Sequence, residues 1–224
     1  YKFLKFVLYN HIKEKKGVCT MRNLVQQMLN ALIQIALFAF LPFVWWLIRA
    51  RRKSPFLEWL GLKPLKDTGN RKIWLWILLG SLFFLLLSFL LLYTTVKGLK
   101  TATSNFSGLG FQALPAVLIY GFFQTALPEE LLFRGFLLKR LASRLSFVVA
   151  NTIQAALFGL IHGLMFITIL SWHQTLLIIL CTGGIAAYMG FVNEKKSDGS
   201  ILSSWIMHAL ANVVVGSLSA FMLI

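Results

Sequence analysis

Acidic side chains are scarce in this sequence: 7 Asp and Glu among 224 residues, against 22 Lys and Arg. Charged residues of both signs make up 13%, where soluble domains carry about 25%, so a water-soluble globule is a poor fit. Cysteine is nearly missing. Cys19 and Cys181 lie far apart with no CxxC spacing and read as unpaired thiols. There is no GxSxG elbow and no HExxH helix, and no two aspartates sit in separate apolar runs. These gaps remove the usual serine-hydrolase, zincin and aspartyl patterns. P-loop and dinucleotide glycine patterns are also missing, and no internal repeat or low-complexity tract stands out.

What is abundant is apolar. Hydrophobic residues reach 58%, mean hydropathy is +0.76, and Phe and Trp number 20 and 7, against about 45–50% apolar usage in soluble domains. Six stretches, at 28–48, 73–93, 111–138, 147–170, 175–192 and 201–224, are long enough to cross a bilayer, which takes about 20 helical residues. The runs lack a barrel's alternation, and lipid-exposed backbone must satisfy its own hydrogen bonds. The expected fold is therefore all-α, a polytopic transmembrane bundle of about six spans with room for interfacial helices. Residues 1–27 read as a tail or interfacial segment, with Met21 as an alternative natural start, and 28–224 as the transmembrane domain.

The net charge of +15 is spread between spans rather than gathered, which points to anionic lipid and not to nucleic acid. The loop at 49–72 holds eight Lys and Arg, the loop around Lys139, Arg140 and Arg144 three, and the loop with Lys195 and Lys196 two. The positive-inside bias predicts that these loops face the cytoplasm.

Five of the seven acidic residues, Glu14, Glu58, Asp67, Glu194 and Asp198, fall in loops or tails. Glu129 and Glu130 fall inside the third span, where a carboxylate is costly unless paired or facing a polar cavity. Arg134 follows Glu130 by four residues and shares its helix face, so it is the expected ion-pair partner. Glu129 is rotated by about 100° from that face and is the better candidate base. Pro128 removes a backbone donor just before the pair and should disturb the helix there. In the fourth span Asn151, Ala155, Phe158 and His162 form one face; in the sixth, Ser204, His208 and Asn212 recur at i, i+4 and i+8. Measured from the basic ends, Glu129, His208 and His162 lie roughly 15, 12 and 22 Å along their helices, depths that tilt can bring together. His11 and His173 fall outside the spans.

An activated water with an oxyanion donor set is what peptide hydrolysis needs. A desolvated glutamate beside imidazoles can supply the first, and an imidazole with a side-chain amide the second. Alternatively, two histidines and one glutamate form a known ligand set for catalytic zinc.

These residues resemble the motifs of the CAAX-protease and bacteriocin-processing family (CPBP, or Abi), which includes the type II CAAX prenyl endopeptidases. Its EExxxR motif appears as Glu129, Glu130 and Arg134, its FxxxH as Phe158 and His162, and its HxxxN as His208 and Asn212. The resemblance covers residues 109–224, the expected protease-like core. It implies an intramembrane endopeptidase in a bacterial cell membrane, acting on a peptide or membrane-tethered protein. By the same resemblance Glu129 with His162 activates water, His208 and Asn212 hold the oxyanion, and Glu130 and Arg134 shape the site. A metal-free glutamate mechanism needs no cofactor; a metal-dependent one would use Zn2+ on Glu129, His162 and His208. The competing reading is a non-catalytic bacteriocin-immunity or scaffold protein. A proton-coupled transporter has less support, since broken helices in two related halves are missing.

Overall fold

A computed structural model describes residues 24–66, 71–96 and 98–223, together with the helical backbone of 2–23. Among the described residues the α-helical elements are α1 (Lys2–Arg49), α2 (Phe56–Trp59), α3 (Arg71–Thr94), α4 (Gly110–Ala142), α5 (Phe147–Leu164), α6 (Trp172–Lys196) and α7 (Leu202–Ala220), with a short 3-10 helix at Ala102–Phe106. Six helices are long and apolar enough to span a bilayer, and there is no strand among the described residues. The all-α bundle of six spans expected from hydropathy is what forms. Its outer faces carry exposed Leu32, Phe40, Ile48, Leu86 and Leu180, which suits contact with lipid tails. The tail or interfacial segment expected at 1–27, up to residue 23, and the alternative start at Met21 fall outside the fully described residues.

The ends of the spans follow local capping rather than hydropathy. The fourth span stops at Leu164 and not at residue 170, because the Ser171 side chain accepts from Gln174 N–H and opens α6 three residues earlier than expected. Residues 139–142 continue α4 to Ala142 and form no separate interfacial element.

Helix α4 is irregular, and Pro128 explains where. Two widened π-type turns, Tyr120–Ala126 and Leu131–Leu138, flank a short α segment Leu127–Glu130 with proline at its start. Proline has no N–H to donate and its ring crowds the carbonyl four residues earlier. The helix widens to accommodate it, and such turns often mark functional positions.

Elsewhere, small residues draw the helices together. A Cβ at Gly159 would collide with the Ile179 carbonyl oxygen of α6 and come 3.2 Å from Gly183 Cα. On the other flank Ile73 and Ile77 of α3 are buried against Ile185 and Met189 of α6 and Met207 of α7.

All the basic loops meet at one end. Lys139 Nζ donates to Glu194 Oε1 at 2.7 Å and to the Gly199 carbonyl at 2.8 Å. Ser200 Oγ donates to the Lys63 carbonyl at 2.6 Å, and Ile201 N–H to the Gly61 carbonyl at 2.9 Å. Gly61 takes φ +83° against Gly199, a left-handed conformation that glycine adopts without penalty. The exposed Asp198 carboxyl is held below the usual range by the Lys66 hydrogen bond and by the Lys63 charge. That tie is complete above the ordinary aspartate range and is lost as pH falls through the lowered value.

Gly159→Ala should lower stability by about 1–3 kcal/mol through overpacking against α6. Gly184, whose Cβ would meet nothing within 4 Å, should accept alanine without loss. Thermal unfolding of the detergent-solubilised protein checks both.

Candidate active site

Three helices bring the polar residues together: α4 supplies Glu129, Glu130 and Arg134, α5 supplies His162, and α7 supplies Ser204, His208 and Asn212. Glu130 is fully buried, at 0% exposure, and both of its oxygens are occupied. Oε1 accepts from Arg134 Nη1 and from His208 Nδ1, each at 3.0 Å, and Oε2 accepts from Ser204 Oγ at 2.5 Å. Arg134, also at 0% exposure, lays its guanidinium over the Phe158 ring at 4.5 Å. The helix-face pairing of Glu130 with Arg134 expected from their spacing is present.

Glu129 behaves differently. Its Oε2 is buried with no hydrogen-bond partner among the described residues. It faces His162 Nε2 at 4.0 Å and His208 Nε2 at 3.8 Å. These three side chains, predicted to converge, do so.

The tautomers follow from what the other ring nitrogens touch. His162 Nδ1 lies 2.8 Å from the Phe158 carbonyl, which can only accept, so Nδ1 carries the hydrogen. His208 Nδ1 likewise donates to Glu130. In its neutral form each imidazole therefore presents a bare Nε2 lone pair toward Glu129. Gaps of 3.8–4.0 Å are too long for direct hydrogen bonds and suit one intervening water. A water has two hydrogens for three acceptors, so a water held by all three groups requires that one of them carry a proton.

The same bare nitrogens, each with its other N–H anchored, are the usual form of metal-ligating histidine. A tetrahedral zinc at about 2.0–2.1 Å would bring its ligand atoms to about 3.4 Å from one another, tighter than the spacing here. Among the described residues no three His, Cys, Asp or Glu side chains are gathered as a metal-binding group. As placed, Glu129, His162 and His208 do not fit a metal without moving inward.

Asn212 shares a cavity with His162. Its Nδ2 donates to Thr125 Oγ1 at 2.7 Å, and that hydroxyl donates onward to the Tyr120 carbonyl at 2.9 Å. One amide hydrogen is thus committed and one remains. His208 can donate from Nε2 only when protonated.

The cavity, about 220 Å³, is lined by His162, Asn212, Tyr120, Thr182 and Thr103 among others. It adjoins a second of about 570 Å³, with Leu92, Val96, Thr101 and Thr103 common to both. Both lie at the end of the bundle away from the basic loops.

Some contributors were not singled out from sequence. Ser204 was visible as part of the α7 polar stripe, but its bond to Glu130 was not. Thr125 and Asn193, which donates to Ser204 Oγ at 2.7 Å, gave no signal beyond being polar in apolar helices. Of the remaining stripe, Asn151 serves packing: Nδ2 donates to the Ala187 carbonyl at 2.9 Å. His173 is exposed, as expected, and Cys181 is a free buried thiol.

Six helices long and apolar enough to span a bilayer surround a polar cluster of carboxylates and imidazoles, the build of an integral membrane protein. Residues 110–214 match the family model described as Type II CAAX prenyl endopeptidase Rce1-like. This segment contains all three motifs, so the resemblance seen in the residues is upheld, and the segment's similarity to that family supports a CAAX-type intramembrane protease in general terms. No curated protein and no solved structure matches it.

Arg134→Ala would strand the Glu130 charge in the interior, which costs about 3–5 kcal/mol when one partner of a buried pair is removed. The expected outcome is loss of folded protein from the membrane fraction, measured as abundance and unfolding temperature against the parent.

Proposed function

We propose that this chain is an intramembrane endopeptidase in which Glu129 is the general base. Its unpartnered oxygen, facing two imidazole lone pairs, is the observation that carries the proposal. A water held between Glu129, His162 and His208 gives a proton to the Glu129 carboxylate as its oxygen attacks the scissile carbonyl. His208 Nε2 carries the one proton that a water held by all three groups requires, and the resulting oxyanion accepts hydrogen bonds from it and from the free Asn212 amide hydrogen, as preorganised donors of this type supply. Glu129 then returns the proton to the leaving amine as the C–N bond breaks. His162, anchored on the Phe158 carbonyl, orients the water.

The substrate is a peptide or a membrane-tethered protein. Among the described residues no Lys, Arg, Asp or Glu lines either adjoining cavity, which favours an uncharged, largely apolar segment around the cleaved bond. The positive-inside bias puts the basic-loop end on the cytoplasmic side, so the substrate enters from the opposite face.

Purified protein in liposomes, given a library of quenched apolar peptides, tests this. Glu129→Gln should lower cleavage by about 10²–10⁴-fold, the usual contribution of a general base, at unchanged unfolding temperature; His162→Ala should lower it less. Unchanged cleavage in Glu129→Gln sinks the assignment. Protection of cells from a toxin that persists in both variants would instead support a non-catalytic binding protein. Loss of activity on chelation, restored by Zn2+, would replace the glutamate route by a metal one.

A further inference from the structure

A single backbone group sets the direction of every hydrogen bond behind Glu130. The Ser204 N–H, which can only donate, reaches Asn193 Oδ1 at 3.1 Å, and Ser203 Oγ donates to the same oxygen at 2.7 Å. The other end of the amide, Nδ2, must then donate to Ser204 Oγ at 2.7 Å. With its oxygen accepting from Asn193, the Ser204 hydroxyl has one hydrogen to place. Its choices are Glu130 Oε2 at 2.5 Å and the Ile201 carbonyl at 3.1 Å, and the charged acceptor forms the shorter, stronger bond. Asn193, Ser203 and Ser204 all have 0% exposure, so solvent has no access to replace any of them.

Glu130 has a competing position. Arg134 Nε and Nη2 have no hydrogen-bond partner among the described residues, and a guanidinium fork favours docking both carboxylate oxygens. The last torsion of a glutamate is broad and holds no plane by itself. If Oε2 were released, the carboxylate would turn onto the Arg134 fork and draw Oε1 away from His208.

We propose that Asn193 and Ser204 are positioning residues. They hold Glu130 off the bidentate geometry, so that Oε1 stays on His208 Nδ1 and Nε2 is left toward Glu129 as the nitrogen that takes up the proton His208 donates to the oxyanion. The bearing of this on catalysis rests on the peptidase reading; the tautomer itself does not.

Nitrogen-15 histidine NMR of the full chain in nanodiscs, above the imidazole titration range, reads the tautomer directly. His11→Gln and His173→Gln in the background leave only His162 and His208. In that parent both should show Nδ1–H. Ser204→Ala removes the donor. Asn193→Asp keeps the shape but turns the Ser204 hydroxyl toward residue 193, away from Glu130. In each, the His208 ratio of Nδ1–H to Nε2–H should fall at least about tenfold, the loss of one charge-assisted hydrogen bond. Ser204→Thr, which keeps the hydroxyl, should retain the parental ratio. His162, anchored on Phe158, should not change in any variant. A parent His208 in the Nε2–H form, an unchanged ratio in Ser204→Ala, or equal shifts at both histidines would overturn the proposal. No substrate is involved, so an inactive protein with these tautomers would sink the peptidase reading alone.

Discussion

The structure depends on a carboxylate that should not be where it is. Glu130 sits at 0% exposure inside a bundle built for lipid, where an uncompensated charge costs several kcal/mol. Arg134 neutralises it from the same helix, while His208 and Ser204 complete its hydrogen bonds from α7. Because Ser204 is itself held by Asn193 of α6, one buried charge fixes the register of three helices. Glu129 is the next residue along and points elsewhere, at about 100° on the helix. One carboxylate is consumed by structure, and an oxygen of its neighbour is left without a hydrogen-bond partner among the described residues.

The bundle delivers His162 to that free carboxylate through packing rather than polarity. Gly159, one turn before His162, lets α5 lie against the backbone of α6, and Phe158 both stacks under Arg134 and offers the carbonyl that anchors His162. The widened turns of α4 around Pro128 serve the same end from the other side. They place Tyr120, Thr125 and the glutamate pair along one distorted helix, with Thr125 turned to hold Asn212. Apolar close packing and a proline defect thus determine where four polar side chains meet.

Much of this was legible in the residues alone, for physical reasons. Ionisable groups inside apolar runs announce themselves because lipid makes them costly, and Glu129, Glu130, Arg134, His162 and His208 stand out in the sequence for that reason. Helical spacing paired Glu130 with Arg134 and aligned Ser204, His208 and Asn212. The hydrogen bond from Asn193 to Ser204 could not be read, since it depends on how α6 and α7 pack and neither residue is costly enough in a helix to stand out. The widened turns were equally hidden: Pro128 shows that something must give, not whether the helix bends or expands. The true ends of α5 and α6 were missed because hydropathy continues past Leu164, while the Ser171 and Gln174 cap decides the boundary.

The central claim is that Glu129, His162 and His208 address one common point inside the membrane. A high-resolution experimental structure of the protein in a lipid environment tests it most directly. A single water-sized peak within hydrogen-bond reach of Glu129 Oε2 and both Nε2 atoms is the predicted result. Imidazoles turned away from Glu129, with lipid or packed side chains in the space between, would contradict it.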